Sequence, residues 1–255
     1  MSKTMKITNK ILQSIKNDIS DECIIYLSGP SSLKTPEKIL RTNSIIAVNG
    51  SVGFLQNNNI PVFAYIVCDG SYFENNKSLF FKYSSYSKYT FISPNVFNRA
   101  SPSEKEKLLS SCFIMKDLCK SRGGPGRKVR YAIKSLIYKE VFIKCSYSRK
   151  VKTIGFSTDI SYGQFGSATV AFTALQLAIT LKFKNIYFSG LDMKGKCQRF
   201  YKEEIPQPTS LPQDFDLILE SFSFLMQKSY GNIYNFSEET AIPYEVIPFI
   251  NVNTI

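Results

Sequence analysis

Four short clusters of small and polar residues carry most of the chemistry open to this chain. They are Ser28-Gly29-Pro30-Ser31-Ser32, Asn49-Gly50-Ser51, Cys68-Asp69-Gly70-Ser71 and Ser189-Gly190-Leu191-Asp192. Each follows a short apolar run. Glycine lets the backbone approach a ligand closely, and amides presented in such a turn favour a phosphate or carboxylate. None of the clusters is G-x-G-x-x-G or a Walker loop, so dinucleotide and P-loop kinase chemistry lose support. Histidine is absent from all 255 residues. Its absence removes Ser-His-Asp and Cys-His nucleophiles, histidine-ligated zinc and a histidine general base. The six cysteines include no C-x-x-C pair, and they read as buried thiols of a reducing compartment.

The elements that must position these clusters follow from the apolar runs. Cys23–Leu27, Ser44–Val48, Pro61–Val67 and Asn185–Ser189 read as buried strands that end at the four clusters. Tyr89–Ile92 and Ile233-Tyr234-Asn235 add shorter ones, and Thr153–Gly155 ends another. Thr35-Pro36-Glu37 suits a helix start, with Thr35 as cap. Gly163–Gly166 reads as a flexible loop. Ser167–Leu181 is a helix apolar nearly all round, and Asp214–Lys228 an amphipathic one. The order is β-α-β-α-β followed by α-β-α-β. It predicts one α/β domain over residues 1–255, Rossmann-like with a mainly parallel sheet.

In such a sheet the strand ends gather on one carboxyl edge, where ligands bind. Plain turn chemistry is the alternative for any one cluster. Gly166-Ser167 places amide donors at a helix N-terminus, which suits a phosphate. Asp214-Phe215-Asp216 spells a D-x-D metal motif. It also sits at a helix start, where acids are favoured by the helix dipole, and that reading is preferred.

Lys and Arg number 32 against 20 Asp and Glu, a net charge of +12, so polyanionic partners are expected. Residues 116–152 hold twelve of those basic residues and only two acids, Asp117 and Glu140. This basic excursion, at about 116–150, starts with a loop around Ser121–Arg127. From Arg127 to Lys144 the pattern is amphipathic, with Val129, Ile133, Leu136, Ile137 and Val141 near one face. Such a helix suits an anionic lipid surface. An ordinary surface helix whose apolar side packs on the core is the alternative. Aromatic platforms, helix-turn-helix and zinc-finger signatures are missing, so nucleic acid is not the expected polyanion. The N-terminus lacks the apolar run of a signal peptide, and no run is long enough to span a bilayer. A cytoplasmic protein able to lie on a membrane is expected.

Ile24–Ser31, Leu40–Ser51, Gly155–Ser161, Ser189–Tyr201 and Thr240–Ile250 together resemble bacterial glycosyltransferases that use CMP-activated acid sugars. The architecture is similar to sialyltransferases of the Campylobacter type. A closer resemblance is to the lipopolysaccharide-core transferases that add the third, side-branch Kdo (3-deoxy-D-manno-octulosonic acid). It implies transfer of Kdo from CMP-Kdo to a Kdo residue of lipid A-core, by a single inverting displacement, at the inner face of the bacterial inner membrane. No cofactor or metal is implied, since CMP is a leaving group with one phosphate. A sialyltransferase or other CMP-acid-sugar transferase, or a non-catalytic lipopolysaccharide- or membrane-binding protein, remains as an alternative.

The resemblance also implies roles. Ser28, Gly29 and Asn49 would contact the nucleotide. Asp192, in the turn with Gly190, would lie near the cytidine ribose, and Tyr201 would hold the phosphate. Ser167 joins them from the residue reading. One part does not carry over, because those sialyltransferases use a histidine base. A carboxylate is the replacement. Asp69 is the first choice, at the end of the third strand. Glu203, Glu204, Asp159 and Asp214 are the alternatives.

Overall fold

A computed structural model describes residues 7–118, 125–144, 153–202, 209–228 and 231–255. In the first half each strand is followed by one or two helices. After helix α1 (Asn9–Lys16) come β1 (Glu22–Tyr26), α2 (Glu37–Thr42), β2 (Ser44–Val48), α3 (Val52–Asn57) and β3 (Val62–Val67). Then follow α4 (Gly70–Asn75), α5 (Lys77–Tyr86), β4 (Ser87–Ile92), α6 (Pro94–Arg99), α7 (Pro102–Ser111) and β5 (Phe113–Ile114). The second half holds α8 (Pro125–Ile137), β6 (Val141–Lys144), β7 (Ile154–Ser157), α9 (Val170–Leu181), β8 (Asn185–Ser189), α10 (Phe215–Met226) and β9 (Asn232–Asn235).

Seven strands form one parallel sheet in the order β5-β4-β3-β2-β1-β8-β9. The chain winds outward from β1 to β5, then crosses back to β8 and β9. The order therefore reverses between β1 and β8, the switch point where open α/β sheets bind ligands. Register aligns the strand ends there. Tyr26 pairs with Ala47 on one side and with Ser189 on the other, so three polar clusters leave the sheet side by side.

The strands are apolar along their length because both sheet faces are covered. The pleat sends alternate residues to opposite cores. Cys23 and Ile25 join Phe172, Leu175, Phe188 and Phe222 under α1, α9 and α10. Ile24 and Tyr26 join Leu40, Leu55, Tyr65, Phe73 and Phe80 under α2 to α5. Ten of the twelve residues of α9 are buried, as its all-round apolar sequence predicts.

Several boundaries differ from the sequence expectation. Thr35 does not cap α2; Pro36 holds the cap position, and the buried Thr35 hydroxyl instead pairs with the Ser189 hydroxyl at 2.8 Å. Helix α9 starts at Val170 rather than at Ser167. Ser167 and Ala168 have φ of +35° and +57°, which no right-handed helix accepts, and Thr169 caps. The strand expected to end at Thr153–Gly155 runs Ile154–Ser157.

The basic amphipathic stretch is not one helix. α8 ends at Ile137, and Val141–Lys144 becomes β6, antiparallel to β7 in a separate two-stranded sheet. Its β-branched and aromatic residues prefer that pairing, with Phe142 stacked on Phe156 at 4.8 Å. Of the excursion, Lys120, Arg122, Arg149, Lys150, Lys152 and Ser121–Gly124 lie outside the described residues, as do Glu203 and Glu204. Among the described residues no helix is long and apolar enough to cross a membrane.

Candidate active site

A cavity of about 1090 Å³ opens at the carboxyl edge over the switch point. Its walls come from the turns after β1, β2, β3 and β8, from the chain after β5, and from the start of α9. Ser28, Gly29, Asn49, Asp69, Ser167, Gly190 and Asp192 all line it. Sequence positions 28 to 192 are thus brought to one place, as the strand-end argument requires.

The turns after β1 and β8 are locked together by Asp192. Its Oδ2 accepts the Ser31 main-chain N–H at 2.9 Å, and its Oδ1 accepts the Ser31 hydroxyl. The same hydroxyl meets the Ser237 hydroxyl at 2.6 Å. The approach is too close for any side chain at position 29. A Cβ there would lie 2.3 Å from the Gly190 carbonyl and 2.6 Å from Asp192 Oδ2. Gly190 itself has φ of +82°, a conformation that glycine adopts without strain.

Asn49 has φ of +47° at the end of β2. Its side-chain Oδ1 is buried, with no hydrogen-bond partner among the described residues. Such an orphan acceptor costs about 1–3 kcal/mol, which a ligand N–H or O–H would offset. Tyr201 stands behind this turn and is not a cavity wall. Its hydroxyl accepts the Gly50 N–H at 3.2 Å, and Phe200 is tied to the Ser28 carbonyl at 3.0 Å. Ser167 lies in the strained residues before the cap of α9. The helix N-terminus that borders the cavity is Thr169-Val170-Ala171. The dipole and unsatisfied amides of its first turn favour an anion.

Lys34, Lys194, Lys196 and Arg199 add positive charge to the walls, and Glu239 and Asp117 add acids. Lys194 pairs with Glu239 at 3.4 Å, both well exposed, so this contact adds little stability. Cys68, at the end of β3, is also a wall residue. Burial pushes its thiol up to about 12; the neighbouring Thr173 hydroxyl opposes this, and the negative charges of Asp117 and Asp69 add to it. Both carboxylates line the cavity with this thiol. Cys197, also a wall residue, is likewise raised by burial and by Asp192. These two thiols are partly exposed at the cavity, whereas Cys23 and Cys112 are buried as expected.

Of the alternative bases, Asp159 and Asp214 are absent from the cavity walls. Asp159 accepts the Ser161 N–H at 2.8 Å, and Asp214 stands at the cap position of α10 with Asp216 in the first turn. Among the described residues no group of three or more acids and thiols could hold a metal ion.

Sequence reasoning missed the cationic walls and Asp117. The missed signal is visible in hindsight: Asp117 is one of only two acids inside the basic excursion. Nor is the 163–166 segment a loose loop. Gln164 forms a parallel main-chain bridge with Asp117, and Phe165 is held through its N–H and C=O by buried Gln176.

Comparison with known proteins agrees with the geometry. Residues 6–253 match the model of the family described as 3-deoxy-D-manno-octulosonic acid transferase WaaZ. An Escherichia coli K12 protein named a probable 3-deoxy-manno-octulosonic acid transferase is 42% identical over 94% of this chain and 86% of its own length. A Salmonella typhimurium LT2 protein of the same name is 37% identical, over 96% and 92%. Among solved structures, the Campylobacter jejuni sialyltransferase CstII, determined with the substrate analogue CMP-3FNeuAc, aligns with a TM-score of 0.50 and 14% identity, over 91% of this chain and 87% of that one. The MAf glycosyltransferase of Magnetospirillum magneticum AMB-1 aligns with a TM-score of 0.55 and 14% identity. The match covers 93% of this chain, which spans only 34% of that protein. These two likenesses establish a shared fold.

Proposed function

The chain belongs to the WaaZ family of 3-deoxy-D-manno-octulosonic acid (Kdo) transferases, and on that premise we propose that its cavity takes CMP-Kdo and passes the sugar to a Kdo hydroxyl of the lipopolysaccharide inner core. The observation that carries this reading is the placement of the cavity. It lies at the switch point, with the paired Ser28–Ser31 and Gly190–Asp192 turns on one side and the N-terminus of α9 on another. The turns and the orphan Asn49 oxygen bind the nucleotide. The first turn of α9 and the wall lysines balance the phosphate and the sugar carboxylate. Tyr201 sets the Asn49-Gly50 turn from behind.

The reaction is a single inverting displacement. The acceptor oxygen forms a bond to the anomeric carbon, the bond from that carbon to the phosphate oxygen breaks, and CMP leaves with the electron pair. CMP is a stable monophosphate leaving group, so the step needs neither metal nor cofactor.

The acceptor is membrane-borne, and the enzyme works as one domain on the cytoplasmic face of the inner membrane. Support comes from α8. Val129, Ile133, Leu136 and Ile137 are exposed on this helix, which also carries Arg127, Lys128, Arg130 and Lys134. An apolar surface on a basic helix fits an anionic bilayer.

Calorimetric titration with CMP, CDP and UMP, with and without EDTA, tests the reading. Micromolar CMP binding that survives EDTA, followed by turnover of CMP-Kdo in preference to CMP-sialic acid, is the expected result. Failure to bind any nucleotide would overturn it.

A further inference from the structure

We propose that Asp117 is the carboxylate that accepts the acceptor's proton, held in place by Gln164 and Thr173. The assignment rests on the transferase reading above and replaces Asp69 as the base of this histidine-free site.

Four acids line the cavity among the described residues: Asp69, Asp117, Asp192 and Glu239. Asp192 commits both oxygens to Ser31. Glu239 is 81% exposed and faces Lys194. Asp69 serves as the cap of α4, its Oδ1 accepting the Ser71 N–H at 2.8 Å. Asp117 is built differently. Its Oδ1 accepts an N–H of the Gln164 amide at 2.8 Å, and the Gln164 Oε1 accepts the Thr173 hydroxyl at 2.9 Å. Gln164 is 3% exposed and Thr173 1%. Burying an amide and a hydroxyl is costly unless each is satisfied. Here each satisfies the next, and the bonds lead to a carboxylate in the cavity wall.

The backbone repeats the clamp. Gln164 N–H donates to the Lys116 carbonyl at 2.8 Å, and Leu118 N–H to the Gln164 carbonyl at 2.9 Å. A base oriented by a buried second group is the arrangement that proton abstraction requires. Gln164 is neutral, so it orients the carboxylate without itself adding charge.

Position assigns the side of the reaction. The nucleotide turns follow the interior strands β1, β2 and β8, whereas Asp117 follows the edge strand β5. Lys134 of α8 donates to the Leu118 carbonyl at 3.4 Å, so the exposed basic helix is tied one residue from Asp117. In the step itself, the acceptor O–H proton passes to Asp117 as the oxygen bonds to the anomeric carbon and CMP departs.

The experiment compares the full-length wild type with Asp117→Asn and Asp69→Asn, in CMP calorimetry and in transfer from CMP-Kdo. Asp117→Asn is expected to keep its CMP affinity while kcat falls about 10²–10⁴-fold. The acid limb of the pH profile should vanish with it. Gln164→Met, a positioning variant, should lower kcat with KM unchanged and keep that limb. Formate added to Asp117→Ala should restore turnover where acetamide does not, a gain that misfolding cannot mimic. Near-wild-type turnover in Asp117→Asn, or the large loss in Asp69→Asn instead, overturns the assignment and leaves the transferase reading standing. A wild type that neither binds CMP nor transfers Kdo overturns both.

Discussion

Gly29 shows how narrow the tolerances are between the turns after β1 and β8. A methyl group there would meet the Gly190 carbonyl and the Asp192 carboxylate well inside contact distance. Neither is the free end of a long side chain. One is backbone, and the other is tied to Ser31 at both oxygens. The turns would have to part, which breaks the brace between two walls of the cavity. Gly29→Ala is therefore expected to cost about 1–3 kcal/mol, as overpacking in a dense site does. CMP affinity should fall with it. Gly166→Ala is the control, since a Cβ there meets nothing within 4 Å and φ is not positive. Its urea midpoint should hold or rise. A Gly29→Ala protein with wild-type midpoint and CMP affinity would show that the turns are looser than they stand.

At the scale of elements, the strands were legible because a parallel sheet covered on both faces demands short, continuous apolar runs. The polar residues that end those runs were legible for the same reason. Three features were not. Residues 127–144 fit a helical period, yet the final turn is taken by β6, because Phe142 finds Phe156 across the sheet. The Asp117–Gln164 pair joins residues 47 apart, from segments with no strand pattern of their own. Finally, an amphipathic pattern does not say what covers its apolar side.

The element that delivers Asp117 carries a testable link. Helix α7 precedes β5 and starts with a capping box, in which Ser101 and Glu104 bond each other's main-chain N–H. Lys77, at the start of α5, reaches Glu104 at 2.9 Å. Lys77 first, and then the Ser101 amide, hold the Glu104 carboxyl below its usual 4.5. A carboxylate lowered on folding stabilises fully above the unfolded value, and that contribution is lost as the pH falls through the folded one. Glu104→Ala should cost about 0.5–1.5 kcal/mol at neutral pH, the usual range for a cap contribution. Urea unfolding should show the gap to wild type closing between about pH 5 and pH 3. A gap that stays constant to pH 3 would mean that the charge on Glu104 contributes nothing.

The whole molecule is asymmetric in charge and in exposed apolar surface, and the two asymmetries coincide. Most of the +12 charge sits in residues 116–152. Of the seven large hydrophobic side chains exposed among the described residues, four belong to α8. Leu136 is 85% exposed and Ile137 65%. The helix is held to the body by other residues, through Lys134 to Leu118 and through Tyr138, whose ring lies 4.7 Å from that of Tyr162. Among the described residues its four apolar side chains are thus left uncovered. Replacing Leu136 and Ile137 by Ser should therefore leave the melting temperature unchanged. If the face enters a bilayer, each side chain gains about 1.5–3 kcal/mol there, so the double variant should lose at least about 100-fold in vesicle partitioning. Each lysine or arginine near an anionic surface adds about 1 kcal/mol, so wild-type binding should also weaken with salt and fail on neutral vesicles. Sedimentation with anionic and neutral vesicles separates the two contributions. Loss with salt alone would leave a purely electrostatic contact, whereas equal recovery of wild type and variant on anionic vesicles would remove α8 from the membrane. In that event the route by which a membrane-borne acceptor reaches Asp117 would have to run along a different wall of the cavity.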